Sequence, residues 1–293
     1  MDNSHLFLFK KGEIRIFSHR EIAGTIRQAT VKKDKINNYY ATFVVEKINS
    51  RNYSELLAHP VGIDVGLIKL IATTDNDLVE PPKYLRQSEK TLKRAQRSLS
   101  RKQKGSRNRR EMRVRVAGMH IHISHQRNDF SQKLSRTLVN NHNFIAYEDL
   151  NIENMMKNHK LAKSVADASW GELIENTMHK AESAGRYCVK VNPRNTSKMC
   201  SYCGNIIEEQ TLDDREYNCK VCGLTMDRDD NAAINVLHAG FRKIFNNFII
   251  MKPKKSRHKK KKIPTDCGEC MPVEGKPIPD KASFSVEAGS SYI

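Results

Sequence analysis

Apolar and polar positions alternate in two blocks near the N-terminus. Leu6-Phe-Leu-Phe9 and Ile14-Arg-Ile-Phe17 flank a Lys-Lys-Gly turn and predict one hairpin. Thr25 to Val31 and Tyr39 to Val45 flank Asn37-Asn38 and predict a second. Four short strands are few for an independent barrel, so residues 1–50 are expected to be part of a larger β body. Three more strand-like runs follow at Val61–Leu67, Lys69–Thr74 and Asp77–Val79. From residue 83 the period lengthens. Leu92, Ala95 and Leu99, then Met112, Val116, Met119, Ile123, Phe130, Leu134 and Leu138 recur at helical spacing around a break at Gly105-Ser106. This predicts a helical hairpin over 83–140.

Beyond the hairpin, Phe144–Tyr147 reads as a short buried strand. A helix is expected from Trp170 to Ala184 with Gly185 as the C′ residue. Tyr187–Val191 is another strand, in which Cys188 is a packed small hydrophobe, and Asn231–Ala239 is a last helix. Residues 154–165 are polar and expected to be mobile. The stretch 246–293 is expected to be a basic, weakly ordered tail.

Charge narrows the function. The 293 residues hold 51 Lys and Arg against 33 Asp and Glu, a net charge of +18, which favours a polyanionic partner. Between Lys83 and Arg115 there are fourteen basic residues and two acids, Glu89 and Glu111. Lys93, Arg94, Arg97, Arg101, Lys102, Lys104, Arg107, Arg109 and Arg110 are therefore the candidate phosphate contacts. No apolar run is long enough to cross a membrane, and Met1-Asp-Asn-Ser-His5 lacks the layout of a secretory signal. Paired cysteines fit metal binding in a reducing compartment, so the protein is expected to be cytoplasmic.

Two motifs carry chemistry. Cys200-x-x-Cys203 and Cys219-x-x-Cys222 can supply four thiolates to one tetrahedral zinc. Just past them, Asp227, Asp229 and Asp230 precede the last helix. Asp64 lies inside an apolar run, where a carboxylate is costly unless paired or metal-bound; the competing reading is a turn cap with Gly66. Glu148 stands at the C-terminal end of its strand, the edge that ligand-binding groups favour in open α/β sheets. The order of elements is three strands, helices, strand, helix, strand, ribbon and helix. That is the order of an α/β, RNase H-like fold with a zinc ribbon inserted in it. Hard carboxylate oxygens from Asp64, Glu148 and Asp227 or Asp229 suit Mg²⁺-dependent phosphodiester hydrolysis.

The chain resembles the TnpB (OrfB) family of insertion-sequence proteins, relatives of type V CRISPR effector nucleases. The likeness rests on Gly62-Ile-Asp-Val-Gly66, Glu148-Asp-Leu-Asn151, Asn192 to Gly204 and Asp227 to Asn235, and runs from about Gly12 to His238. It implies a RuvC-like domain that cuts target DNA under the direction of a guide RNA from the mobile element. It implies Asp64, Glu148 and Asp229 as the catalytic acids, since the family acid lies two residues before Asn-Ala-Ala. Asp227 and Asn231 then support the site from beside it, Asp227 as a helix cap. The four ribbon cysteines match the family's zinc ligands, whereas Cys267 and Cys270 have no partner pair and are not ligands.

The organisation implied is a partial wedge-like β segment over 1–50 and the nuclease domain over 58–192. The ribbon follows over 193–224, the final nuclease helix over 225–245 and the tail over 246–293. Family members of usual size carry a longer N-terminal region. A prokaryotic, nucleoid-associated DNA endonuclease is expected; the alternatives are a nucleic-acid-binding remnant without cleavage and a strand-joining transposase.

Overall fold

The computed structural model describes residues 5–18, 21–48, 57–207, 214–250 and 281–287. Both N-terminal hairpins are present. β1 (His5–Leu8) pairs antiparallel with β2 (Gly12–Arg15), and β3 (Thr25–Lys33) with β4 (Tyr39–Ile48). The second turn is closed by Asp34, whose Oδ1 accepts from the backbone N–H of Ile36 at 2.9 Å and of Asn38 at 2.8 Å. Asn37 takes the left-handed conformation there, at φ 72°, as asparagine tolerates.

A five-stranded sheet follows. β5 (Pro60–Val65), β6 (Ile71–Thr73) and β7 (Leu78–Val79) pair antiparallel in succession, because the connections between them are short. α1 (Tyr84–Arg101) and α2 (Arg107–Asn141) form the expected basic hairpin and carry the chain across to β8 (Phe144–Glu148). α3 (Ile152–Lys157), α4 (Ala162–Ala168) and α5 (Trp170–Ser183) carry it across again to β9 (Tyr187–Val191). These crossovers make β8 parallel to both β5 and β9, in the order β7-β6-β5-β8-β9. Gly185, at φ 69°, takes the C′ position after α5.

Residues 154–165 are not an irregular loop: they lie mostly within α3 and α4. Asn151 caps α3 by accepting from Asn154 N–H. In α4, Asp167 is buried and holds three elements together. Its carboxylate accepts from Leu85 N–H at 3.0 Å and Arg86 N–H at 3.4 Å, and pairs with Arg127 at 3.2 Å. It thereby caps the start of α1, whose own N-cap Lys83 offers no acceptor.

β10 (Glu216–Asn218) and β11 (Thr225–Asp227) form the hairpin that carries the second cysteine pair. α6 (Arg228–Ile250) starts three residues before the Asn231–Ala239 helix expected from the sequence and runs eleven beyond it. The end of the chain brings a second difference. β12 (Lys281–Glu287), inside the stretch expected to be weakly ordered, pairs antiparallel with the free edge of β4. An unpaired edge offers a row of backbone donors and acceptors, and the alternating Ala-Ser-Phe-Ser-Val run can meet them. The part of the tail richest in Lys and Arg, residues 252–262, and Cys267 and Cys270 lie outside the described residues.

The central sheet has two covered faces. Val61, Ile63, Ile145 and Tyr147 point to one face and pack with Val139, Trp170, Leu173 and Ile174 of α2 and α5. Phe144, Ala146 and Val191 point to the other and pack with Val236 and Ile244 of α6. Full burial of such aliphatic side chains contributes roughly 1.5–3 kcal/mol each. α6 lies unusually close to the sheet. A Cβ on Gly62 would come within 2.0 Å of Ala233 O, and one on Gly240 within 2.7 Å of Ala146 Cβ. Helix and sheet meet through these two glycines, and that contact sets where the first turn of α6 falls.

Candidate active site and cysteine cluster

Side chains alternate across a strand, so parity decides which residues meet α6. Val61, Ile63 and Val65 face α2 and α5, which turns Gly62 and Asp64 toward α6. On β8, Phe144 and Ala146 face α6, and Glu148 shares their parity. The parallel register pairs Gly62 with Ala146 and Ile63 with Tyr147, so its next step sets Asp64 beside Glu148. Asp229 joins them from the first turn of α6. The three acids of the sequence reading thus converge at one edge of the sheet from segments 84 and 81 residues apart.

Electrostatics records the crowding. Burial, then the charges of Glu148 and Asp229, push the Asp64 carboxyl well above its ordinary range, and Arg228 counteracts this in part. Burial also raises Glu148, while the hydrogen bond from Thr196 opposes it. Glu148 is 6% exposed, so water screens little of this repulsion. Asp64 lies in β5, one residue before its end, and its carboxyl also takes a hydrogen bond from the Val65 backbone. Clustered carboxylates offering hard oxygen donors are a fit for a divalent cation such as Mg²⁺.

Asp227 and Asp230 flank the trio. Asp227 Oδ1 accepts from Asp229 N–H at 2.8 Å and caps α6, while its Oδ2 lies 3.0 Å from Lys69 Nζ. Burial alone would raise Asp227, but Lys69 and the Asp229 N–H outweigh it and hold it below the usual range. Lys69 was not singled out by the sequence reading. It is delivered by the β5–β6 turn, where Gly66 N–H donates to Leu70 O. A basic residue shortly after an acid-tipped strand is the only signal that could have found it.

The cysteine cluster sits against the same helix. The sulfurs of Cys200, Cys203, Cys219 and Cys222 all lie within 4.8 Å of one another. Cys200 and Cys222 are 3.6 Å apart, and Cys203 and Cys219 3.5 Å. A tetrahedral Zn²⁺ with bonds of about 2.3 Å requires sulfurs about 3.8 Å apart, so the set fits zinc. Each knuckle turns back one residue after its second cysteine, at Gly204 (φ 76°) and Gly223 (φ 77°), where a left-handed backbone favours glycine. Their N–H groups donate to Cys200 O and Cys219 O, both at 2.9 Å. The backbone N–H groups of Cys222 and Val221 hold the Cys219 thiol down at about 6, while burial and the contacts with its sister cysteines push Cys222 up to about 12. Cys188 packs beside the core as expected, and burial pushes its thiol up to about 12.

Most of the candidate phosphate contacts form an open basic surface. Lys93, Arg94, Arg97, Arg101, Lys102, Lys104, Arg107 and Arg110 are exposed along α1, the turn and the start of α2. Arg107 pairs with Glu111 across one helical turn at 2.9 Å. Arg109 differs. Its Nη1 donates to Leu99 O and Lys102 O, each at 2.9 Å, so its guanidinium closes the C-terminus of α1 instead of standing in solvent. Asn231, the other supporting residue, is fully buried and bonded to the first knuckle: its Oδ1 accepts from Ser201 N–H at 2.9 Å, and its Nδ2 donates to Met199 O at 2.8 Å.

An acid-tipped mixed sheet with a four-cysteine cluster packed on its last helix is the frame into which comparison with known proteins falls. Residues 42–159 match the OrfB_IS605 family model, described as "Probable transposase". Residues 170–236 match the Cas12f1-like TNB domain model. Over these two stretches the chain is similar to the TnpB (OrfB) family and its Cas12f1-like relatives. A Streptomyces pristinaespiralis protein named "Putative RNA-guided DNA endonuclease" is 37% identical over 214 residues, 72% of this chain and 52% of that protein. The Escherichia coli K12 protein "Putative RNA-guided DNA endonuclease InsQ" is 30% identical over 82% of this chain and 63% of its own length. The chain therefore spans about half to two thirds of the length of these relatives. A chain of a Cas12f1–sgRNA–target DNA complex aligns at TM-score 0.46 and 17% identity, covering 78% of this chain and 73% of that one.

Proposed function

We propose that this chain forms an RNase H-like (RuvC-type) nuclease domain, with the ribbon inserted after β9 and residues 1–50 forming part of a wedge-like β body. On this reading it hydrolyses DNA phosphodiester bonds with Mg²⁺ held by Asp64, Glu148 and Asp229, and the cysteine cluster holds a structural Zn²⁺. Target choice belongs to a guide RNA, as the names of the relatives suggest, and the protein works in the cytoplasm at the nucleoid. Among the described residues no helix is long and apolar enough to cross a membrane.

The observation that carries the proposal is the convergence of the three acids: strand parity and register bring Asp64 and Glu148 together, and α6 adds Asp229. Bound Mg²⁺ would activate a water and stabilise the leaving oxygen. The chain's own residues do the rest. Asp227 fixes the first turn of α6 and so the reach of Asp229, Thr196 holds Glu148, and the exposed bases of α1 and α2 offer a track for phosphates.

The test is cleavage of a matched DNA target by the purified protein with its co-purifying RNA and Mg²⁺. Asp64→Ala is expected to abolish cutting while leaving nucleic-acid binding within about threefold. Binding without cutting by the unmutated protein would replace the proposal with the remnant reading. Joined strands in place of cut ends would favour a transposase.

A further inference from the structure

Glu148 and the cysteine cluster are joined by the side chains of Thr196, Asn231 and Asn235. Thr196, 4% exposed, lies on the segment between β9 and the first knuckle. Its hydroxyl donates to Glu148 Oε1 and also lies 3.0 Å from Pro193 O. A hydroxyl has one proton, and an ionised carboxylate is the stronger acceptor.

The backbone carrying Thr196 is fastened to α6. Asn235 Nδ2 donates to Thr196 O at 2.9 Å and to Met199 O at 2.6 Å. One turn earlier, Asn231 binds Met199 O and Ser201 N–H, the residues on either side of Cys200. Asn231 is 0% and Asn235 1% exposed. Asparagine is a poor helix former, and burying its amide is unfavourable unless the amide is bonded. Asn235 Oδ1 has no hydrogen-bond partner among the described residues, so the Asn235 amide is oriented by its two donated bonds alone. Two such residues one turn apart on one helix face are explained by what they hold.

We propose that Thr196 is a positioning residue for Glu148, and that the cysteine cluster keeps it in place through Asn231 and Asn235. Metal occupancy of the ribbon then sets how well the acidic trio takes a divalent cation. The inference rests on Asp64, Glu148 and Asp229 forming that cation's site. A ribbon that served only nucleic-acid contact would leave the trio's cation affinity independent of the metal held by the cysteine cluster.

The experiment measures Mn²⁺ binding to the full chain by electron paramagnetic resonance, with zinc content and thermal midpoint followed in parallel. Thr196→Val, which keeps the shape and loses the donor, is expected to weaken Mn²⁺ binding about tenfold with zinc still at one per chain. Thr196→Ser, which keeps the donor, should stay within about twofold of wild type. Unchanged affinity in Thr196→Val overturns the proposal. Should that variant fold poorly, Asn235→Ala loosens the Thr196 backbone without touching Glu148; it too should weaken Mn²⁺ binding, and wild-type affinity there is equally fatal. Asp64→Ala separates the underlying reading. If it binds Mn²⁺ as well as wild type, the trio is not the cation site, and that reading fails whatever Thr196 does.

Discussion

The ammonium of Lys69 lies 3.5 Å from Asp229 Oδ2, close enough for one residue to neutralise part of the acidic cluster. Its stronger contact, at 3.0 Å, is with Asp227. The pair is partly open to solvent, with 27% of the Lys69 side chain exposed, so its contribution to stability is modest. Its effect on a cation is of the opposite sign, because a fixed positive charge repels a divalent ion beside it. Lys69→Met should therefore tighten Mn²⁺ binding by roughly three- to tenfold. Titration under low salt checks this, and equal or weaker binding by the variant would refute the electrostatic role.

Four sulfurs within 4.8 Å predict one zinc per chain in folded protein. Cys219, 4% exposed, is the informative member, since its loss opens the cluster from the inside. Cys219→Ser should lower bound zinc to below about a fifth of wild type and expose the ribbon to proteolysis, as structural zinc contributes directly to folding. Elemental analysis of the purified variant decides it: retention of stoichiometric zinc would exclude a four-thiolate site.

Gly62 and Gly118 make a matched pair. At Gly62 an added Cβ meets the Ala233 carbonyl oxygen at 2.0 Å, backbone against backbone, and neither element can yield alone. Gly62→Ala should cost on the order of 3 kcal/mol and displace the turn of α6 that carries Asp229. At Gly118, inside α2, nothing lies within 4 Å of the added carbon. Gly118→Ala should stabilise by about 0.5–1 kcal/mol through the unfolded chain. Urea midpoints of the two variants should move in opposite directions.

Much of this architecture could be read before any coordinates, and the reasons differ by element. The two hairpins and the helical hairpin announced themselves through a change of period from two to about 3.6. Asp64 stood out as a carboxylate inside an apolar run and Glu148 as one at a strand end, while Asp229 was chosen over Asp227 through the resemblance to TnpB. What escaped was set by contacts between distant segments. Thr196 looks like any loop threonine until Glu148, 48 residues earlier, is placed beside it. Asp167 caps a helix that begins 83 residues before it. β12 alternates visibly, but the partner that makes a strand of it is the edge of β4, more than 230 residues away.

His142 gives the fold a pH response. It is 4% exposed at the end of α2, and its carbonyl accepts from Arg186. Burial first, with His59 and Arg186 beside it, holds its pKa below 6.5; Asp75 and Asp77 pull the other way. A base depressed in the fold takes up its proton more readily when unfolded, so its contribution is complete above about 6.5 and lost as pH falls through the folded value. Wild type should lose more stability than His142→Gln between pH 7.5 and pH 5. Identical losses in denaturant melts would assign the acid sensitivity elsewhere.

The basic hairpin can be dissected by separating charge that faces solvent from charge spent on structure. Arg94, Arg97 and Arg101 stand exposed on α1, whereas Arg109 closes the end of that helix by binding two of its carbonyls. If phosphates lie along α1, each contact releases counterions, and replacing the three exposed arginines with glutamate should reduce the slope of log affinity against log salt by about three. Their loss should leave the thermal midpoint nearly unchanged, since exposed side chains contribute little to stability. Arg109→Ala should behave the other way round. It leaves Leu99 O and Lys102 O without that donor, so stability should fall by about 1 kcal/mol while the salt slope holds. A slope that drops equally for Arg109→Ala and for the triple variant would mean that the turn, and not the face of α1, is where nucleic acid lies.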